Sequence, residues 1–416
     1  MQNILDTLWQ ATLLWNGLFT NNASTSTAPS LNITSFGSLG NTGPSNPILQ
    51  HSSGGKAICL TGTLAVPVTS SQATILYPGP RDNYELTEFL TDLFSINSNA
   101  FIRYIGPSST VSDTFSIYVK LCVPADEEKT RGLSSVQFLT HGGIGDSSYW
   151  DFAEGYSYAD AAAEQGYATF SYDRLGSGKS DKPDPVQVVQ APLQVEIAHL
   201  LVGMLRDGNI GNMAFTKVVG VGHSLGSAVT QSESARYPDD FDAVVLTGHS
   251  GHRGGAGIAL SSTARQIANT MEGRPEWKDL PNGYFTLGPA PQTLQFAFFF
   301  YPHFDPEIFL KEFKTYGTST IGETLTLGSI YTPAPGFKKP VLVLNGQQDL
   351  FYCQGDCLRD GDVTAQALAV FYPNAPSDQS QAVTLPDMAH QINMHLGRLQ
   401  AFEKMLDFVS RVGIKP

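Results

Sequence analysis

From Val136 onward, short apolar runs alternate with stretches whose apolar positions recur at helical spacing. The runs are Val136–Thr140, Tyr167–Tyr172, Lys217–Val221, Asp242–Thr247, Lys339–Gly346 and Ala382–Leu385. Most are continuous rather than alternating, the pattern of a strand buried on both faces. Helical spacing covers Tyr156–Gln165, Leu193–Arg206, Ser227–Tyr237 and a C-terminal segment, Met394–Val412. Strands that alternate with helices predict an α/β fold, a mostly parallel sheet with helices on both faces. Upstream the pattern changes. Ala57–Val66, Ala100–Ile105 and Phe115–Val123 read as antiparallel opening strands, with a helix over Tyr84–Phe94 between them. Residues 1–55 read as an N-terminal helix carrying Leu5, Leu8, Trp9, Leu13 and Leu14, followed by a Ser/Thr/Gly/Pro/Asn-rich linker. The roughly ninety residues between Thr247 and Lys339 are far too many for a simple connection, so they should carry structure of their own. The divisions expected are thus 1–55, a first core part 56–248, an insertion 249–338, and a second core part 339–416.

Composition narrows the function. Over 416 residues, charged side chains make up 15% and the formal net charge is −13, which argues against nucleic acid and anionic membrane surfaces as partners. No run reaches the roughly twenty apolar residues of a membrane-spanning helix. The N-terminal apolar segment lacks a preceding Lys or Arg and is interrupted by Asp6, so it half supports a secretory signal. A helix that packs on the body, or makes a homodimer or membrane contact, is the alternative. Four cysteines allow two disulfides, with Cys59–Cys122 and Cys353–Cys357 the economical pairing. No second ligand pair stands near Cys353 and Cys357, so no metal is expected, and no cofactor. Asn22-Ala23-Ser24 and Asn32-Ile33-Thr34 are glycosylation sequons. The cysteines and sequons favour a secreted location, with an intracellular one kept open.

The chemistry concentrates in Gly222-His223-Ser224-Leu225-Gly226, which sits between a strand and a helix. A serine on such a sharp turn is presented at a helix N-terminus, where negative charge is favoured. Serine needs a base, and the base needs an orienting carboxylate. Asp349 lies just past the strand ending at Gly346, with Asp356 and Asp387 as rivals. His390 follows the last strand, and its rival His395 falls in the expected helix. The loop His141-Gly142-Gly143-Ile144-Gly145 follows an earlier strand, and its glycines let the backbone approach a substrate carbonyl. His141 reads as a brace for that loop. Gly178-Lys179-Ser180 mimics the end of a phosphate-binding loop, but the glycine required five residues earlier is Asp173. Asp173 and Arg174 are expected to brace their own loop. Candidate pocket residues are Tyr149, Trp150, His223, Phe298 and Phe299. The aromatic-rich run Leu294–Tyr301 supplies the last two. Scattered His249, His252 and His303 read as structural or pocket-lining.

These pieces occur in one order: the His141 loop, Asp173–Ser180, the Gly222–Gly226 elbow, the Asp349 loop and the His390 loop. In that order they resemble the α/β-hydrolase superfamily. The phrases Ser148–Phe152, Ser171–Gly176 and Asp349–Cys353 are similar to fungal secreted or secondary-metabolite hydrolases. The resemblance implies a catalytic triad of Ser224, Asp349 and His390, an oxyanion hole from the Leu225 and Gly143 N–H groups, and a helical cap over the site from residues 249–338. One departure is Ala389, where many relatives carry glycine before the histidine.

The reading that follows is a serine hydrolase acting on an ester or lactone of an apolar small molecule through an acyl-enzyme. Acyl transfer, C–C cleavage or a prolyl-aminopeptidase-like activity would use the same triad. A peptidase would want cap acids for the substrate amine, and Glu272 and Glu276 are the candidates. A non-catalytic binding protein on the same scaffold is a remote third reading.

Overall fold

A computed structural model describes residues 43–252 and 254–416. The apolar N-terminal segment and the sequons at Asn22 and Asn32 lie outside the described residues.

Nine strands form one sheet. They are β1 (Ser45–His51), β2 (Ala57–Ile75), β3 (Ile105–Pro124), β4 (Ser135–Thr140), β5 (Ala168–Tyr172), β6 (Lys217–His223), β7 (Ala243–Thr247), and, after the small strands β8 (Gln266–Ile267), β9 (Tyr284–Thr286) and β10 (Ser319–Thr320), β11 (Val341–Gly346) and β12 (Gln381–Leu385). Their order is β1-β2-β3-β5-β4-β6-β7-β11-β12. From β5 through β12 the pairs are parallel, and β1, β2 and β3 add antiparallel. In β4, β5, β7 and β11 every residue is buried, which explains their unbroken apolar runs. Helices Ala191–Arg206 and Leu225–Arg236 pack on this sheet through buried faces. The Cys59–Cys122 and Cys353–Cys357 disulfides are the economical pairing. Cys59 and Cys122 stand directly opposite in the β2–β3 register.

Several sequence expectations shift. The stretch 1–55 assigned to helix and linker contains β1, a largely exposed edge strand whose apolar run, Pro47-Ile48-Leu49, is too short to read as a strand. The opening strands are far longer than their apolar cores: β2 and β3 pair from Ala57↔Pro124 out to Ile75↔Ile105. Residues Ala100–Arg103 are a helical turn, not strand, and the strand begins after them. At the C-terminus the helix is Arg398–Arg411, so His395 precedes it in extended backbone.

The insertion 249–338 contains helices Ala256–Ser262, Gln292–Phe298, Pro306–Thr315 and Ile321–Thr326, together with a small antiparallel sheet ordered β10-β9-β8. That sheet is a departure from an all-helical cap. It shares a core with the helix Asn83–Phe94: Leu86, Phe89 and Leu93 pack with Ile267, Phe285, Ile321 and Leu325. A buried ion pair, Arg174–Glu323, ties the insertion to the loop after β5.

Candidate active site

Strand β6 runs into Ser224, which holds φ 54° and ψ −118° before helix Leu225–Arg236 begins. A non-glycine residue resists that conformation, and such strain is held only where the surroundings enforce it. Here the Ser224 N–H donates to the Thr247 carbonyl at 2.9 Å. Tight packing also dictates the flanking glycines. A Cβ on Gly222 would lie 2.5 Å from the Ser227 Cα, and one on Gly226 only 2.2 Å from the Thr140 carbonyl oxygen. The turn therefore presses helix, β6 and β4 together and leaves the serine at the C-terminal end of the central strand β6.

Beyond β11, Asp349 caps the short helix Leu350–Cys353, its Oδ1 accepting from the Tyr352 N–H at 3.0 Å. Its Oδ2 lies 2.6 Å from His390 Nδ1, and His390 Nε2 lies 2.7 Å from Ser224 Oγ. A carboxylate oxygen accepts, so Nδ1–H donates to Asp349 and leaves Nε2 to accept from the serine hydroxyl. Asp349 and His390 are both fully buried. The Phe351 ring lies 4.6 Å from the imidazole and Phe298 5.8 Å from it, centroid to centroid. The rivals stand elsewhere. Asp387 is exposed and faces His303, while Asp356 accepts from the Gln347 amide. His395 is buried, which pulls its pKa down to about 4, and its Nε2 accepts from the Phe300 and Ala389 N–H groups.

The loop after β4 faces the serine. A Cβ on Gly142 would approach the Ser224 Cβ to 3.2 Å, and Gly143 and Leu225 line the same cavity as Ser224. His141 braces this loop: Nδ1 donates to the Gly142 carbonyl and Nε2 accepts from the Arg174 N–H. Burial and the nearby guanidinium hold its pKa well below the ordinary imidazole value. Arg174 adds hydrogen bonds to the His141 and Gly142 carbonyls, and Asp173 accepts from the Ser147 and Lys179 N–H groups.

The cavity measures about 1040 Å³. Its walls include Phe94, Phe101, Leu260, Leu287, Phe298 and Phe351. Of the five expected pocket residues, Phe298 lines it and the other four do not. Phe299 points into the cap core against Phe304, Phe309 and His395. Trp150 is buried between Tyr149 and Tyr158. Tyr149 stacks on His223 with ring centroids 4.4 Å apart. His223 is engaged by Thr247 and Gln391, and burial holds its pKa well below the usual value. His223, held neutral, thus packs beside His390, ring centroids 5.2 Å apart, and not on the cavity wall. Gln391 also donates to Glu312, whose pKa burial pushes up to about 8. Sequence reasoning missed Glu312, Gln391, Arg265 and Glu323. Glu312 lies on an amphipathic cap helix among Lys and Glu residues, where nothing distinguishes a buried acid from an exposed one.

Glu272 and Glu276 do not line the cavity; Glu276 pairs with Arg274. Among the described residues, no group of His, Cys, Asp or Glu is gathered to hold a metal ion, and no helix is long and apolar enough to cross a membrane.

Residues 138–403 match the model of the alpha/beta hydrolase family. No curated protein sequence matches the chain. Among solved structures, a thermophilic esterase from Thermogutta terrifontis is similar at 16% identity, covering 72% of this chain and 94% of that one, with a TM-score of 0.48. A soluble variant of monoglyceride lipase from Saccharomyces cerevisiae is 14% identical, covering 72% and 93%, with a TM-score of 0.48. The 2-hydroxy-6-oxo-6-phenylhexa-2,4-dienoate hydrolase from Rhodococcus sp. strain RHA1 is 18% identical, covering 71% and 95%, with a TM-score of 0.47.

Proposed function

The chain belongs to the alpha/beta hydrolase family, and on that premise we propose that it is a serine hydrolase cleaving an ester or lactone of a largely apolar small molecule through an acyl-enzyme. One observation carries the reading: the continuous hydrogen-bonded line from Ser224 through His390 to Asp349, at 2.7 and 2.6 Å. Ser224 Oγ attacks the substrate carbonyl while His390 Nε2 takes its proton. Asp349 holds the imidazole in the tautomer that leaves Nε2 free to accept and stabilises the imidazolium as it forms. The Leu225 and Gly143 N–H groups receive the oxyanion. The imidazolium then protonates the leaving alcohol, and a water activated by His390 releases the acid. The apolar walls, Phe298 and Phe351 among them, support an apolar acyl or alcohol portion.

The cap acids expected for an aminopeptidase, Glu272 and Glu276, do not line the cavity and Glu276 pairs with Arg274, while the insertion acid that does line it, Glu323, is held by Arg174. The two disulfides support an oxidising compartment, and with it a secreted chain. The test is hydrolysis of a p-nitrophenyl ester series by wild type and Ser224→Ala. The variant should lose at least about a thousandfold in kcat/KM, and full activity in the variant would overturn the assignment.

A further inference from the structure

Arg265 lines the same cavity as Ser224. Its Nε and Nη1 are shielded from solvent and have no hydrogen-bond partner among the described residues. Arg265 as a whole is part-buried, but donors shut off from water and left unpaired are costly, and proteins retain such groups where something else satisfies them. The other charged residues of the cavity wall are already engaged. Arg236 pairs with Glu196, and Glu323 Oε1 is held by Arg174 and Gln194. Glu323 attracts Arg265 only at longer range, and burial still lowers the guanidinium's pKa to about 10. It stays a cation at any physiological pH.

The setting leaves the donors free. Arg265 lies over the Phe285 ring, Cζ to centroid 4.6 Å. A cation–π contact takes up no N–H donor, so Nε and Nη1 remain available to match a carboxylate. Ala264, just before it, holds φ 44°, a left-handed conformation that costs roughly 1 kcal/mol for an alanine. Two unfavourable features therefore stand at adjacent positions, and Arg265 is the one that lines the cavity.

We propose that the substrate carries a carboxylate, which Arg265 receives while Ser224 attacks the ester. The proposal rests on the reading of Ser224 as nucleophile and adds the substrate's charge to it. The small sheet sets the scale. Ser319 and Ile267 both pair with Phe285, so they stand two strand spacings apart, roughly 10 Å. Ser319 adjoins the Gly143 position, and Arg265 sits two residues before Ile267. Arg265 thus comes from the far-strand side of this sheet and Ser319, beside the oxyanion loop, from its near strand, so a carboxylate on Arg265 and an ester on Ser224 lie apart on the substrate. A body of about six to ten carbons between ester and carboxylate is long enough to bridge two strand spacings. The apolar walls between take the methylene chain.

The experiment measures binding without turnover. The monomethyl and dimethyl esters of octanedioic and decanedioic acid are titrated calorimetrically into Ser224→Ala protein and into Ser224→Ala/Arg265→Gln. The half-ester should bind at least about tenfold tighter than the diester, as a desolvated charge-assisted pair allows. That preference should vanish with Arg265→Gln and return in part with Arg265→Lys, which restores charge without the fork. Equal affinity for the two esters, no binding of the half-esters, or a preference that survives Arg265→Gln would overturn the proposal. Circular dichroism confirms that each variant is folded. Ser224-dependent turnover of neutral p-nitrophenyl esters by the wild type tests the underlying reading separately, so the two failures are distinguishable.

Discussion

Glu312 sits behind the Ser224–His390–Asp349 line, between cap helix Pro306–Thr315 and Gln391. Its Oε1 accepts from Gln391, while its Oε2 has no partner among the described residues. Burial raises its pKa from 4.5 to about 8. Below pH 4.5 the folded and unfolded chains both carry the proton. Between 4.5 and about 8 the unfolded chain has released it and the folded chain has not, so stability falls as pH rises. Above about 8 both have released it and the loss is complete. At ~1.4 kcal/mol per pH unit, this interval sets a ceiling of roughly 5 kcal/mol. Relaxation and water entry reduce that to a few kcal/mol. Glu312→Gln keeps an amide oxygen for Gln391 and has no proton to lose. Urea unfolding at pH 5 and pH 8 should therefore show two chains of similar stability at the lower pH. At the higher pH the variant should be more stable by about 2–4 kcal/mol. The same pH slope in both chains would refute the reasoning.

Asp349→Asn should lower kcat by about four orders of magnitude with the fold intact, because the amide no longer fixes the productive imidazole tautomer; a loss under tenfold in steady-state assays would point to another acid. Gly226→Ala should lower the Tm by roughly 5 °C or more, since its Cβ would meet the Thr140 carbonyl oxygen at 2.2 Å; an unchanged melting curve would contradict this packing. Replacing Cys59 and Cys122 with alanine should cost about 2–4 kcal/mol in urea unfolding, and a variant as stable as wild type would remove the bond from the account.

The sheet from β4 onward was legible because strands buried on both faces are written as unbroken apolar runs, as in Val341–Leu344. The elbow was legible because glycines at 222 and 226 are demanded by backbone contacts that no other residue tolerates. The strand β1 and the outer halves of β2 and β3 were not, since Ser70, Ser71, Gln72, Ser108 and Ser109 carry no apolar signal yet pair in register. In the cap the limit is direction. Helix Gln292–Phe298 ends at Phe299, so Phe298 turns to the cavity and Phe299 to the cap core, a distinction absent from a run of three phenylalanines. Arg265 and Glu323 are ordinary polar residues in sequence, and only the tertiary structure leaves the first unpaired and holds the second against Arg174.

The central claim is that Ser224 is a nucleophile activated by His390. Incubation of the wild type, Ser224→Ala and His390→Ala with a fluorophosphonate, followed by intact-mass and peptide mass spectrometry, tests it most directly. The account predicts one adduct per chain, located on Ser224, absent from Ser224→Ala and slowed by orders of magnitude in His390→Ala. A wild type that stays unlabelled, or an adduct on another residue that persists in Ser224→Ala, would contradict it.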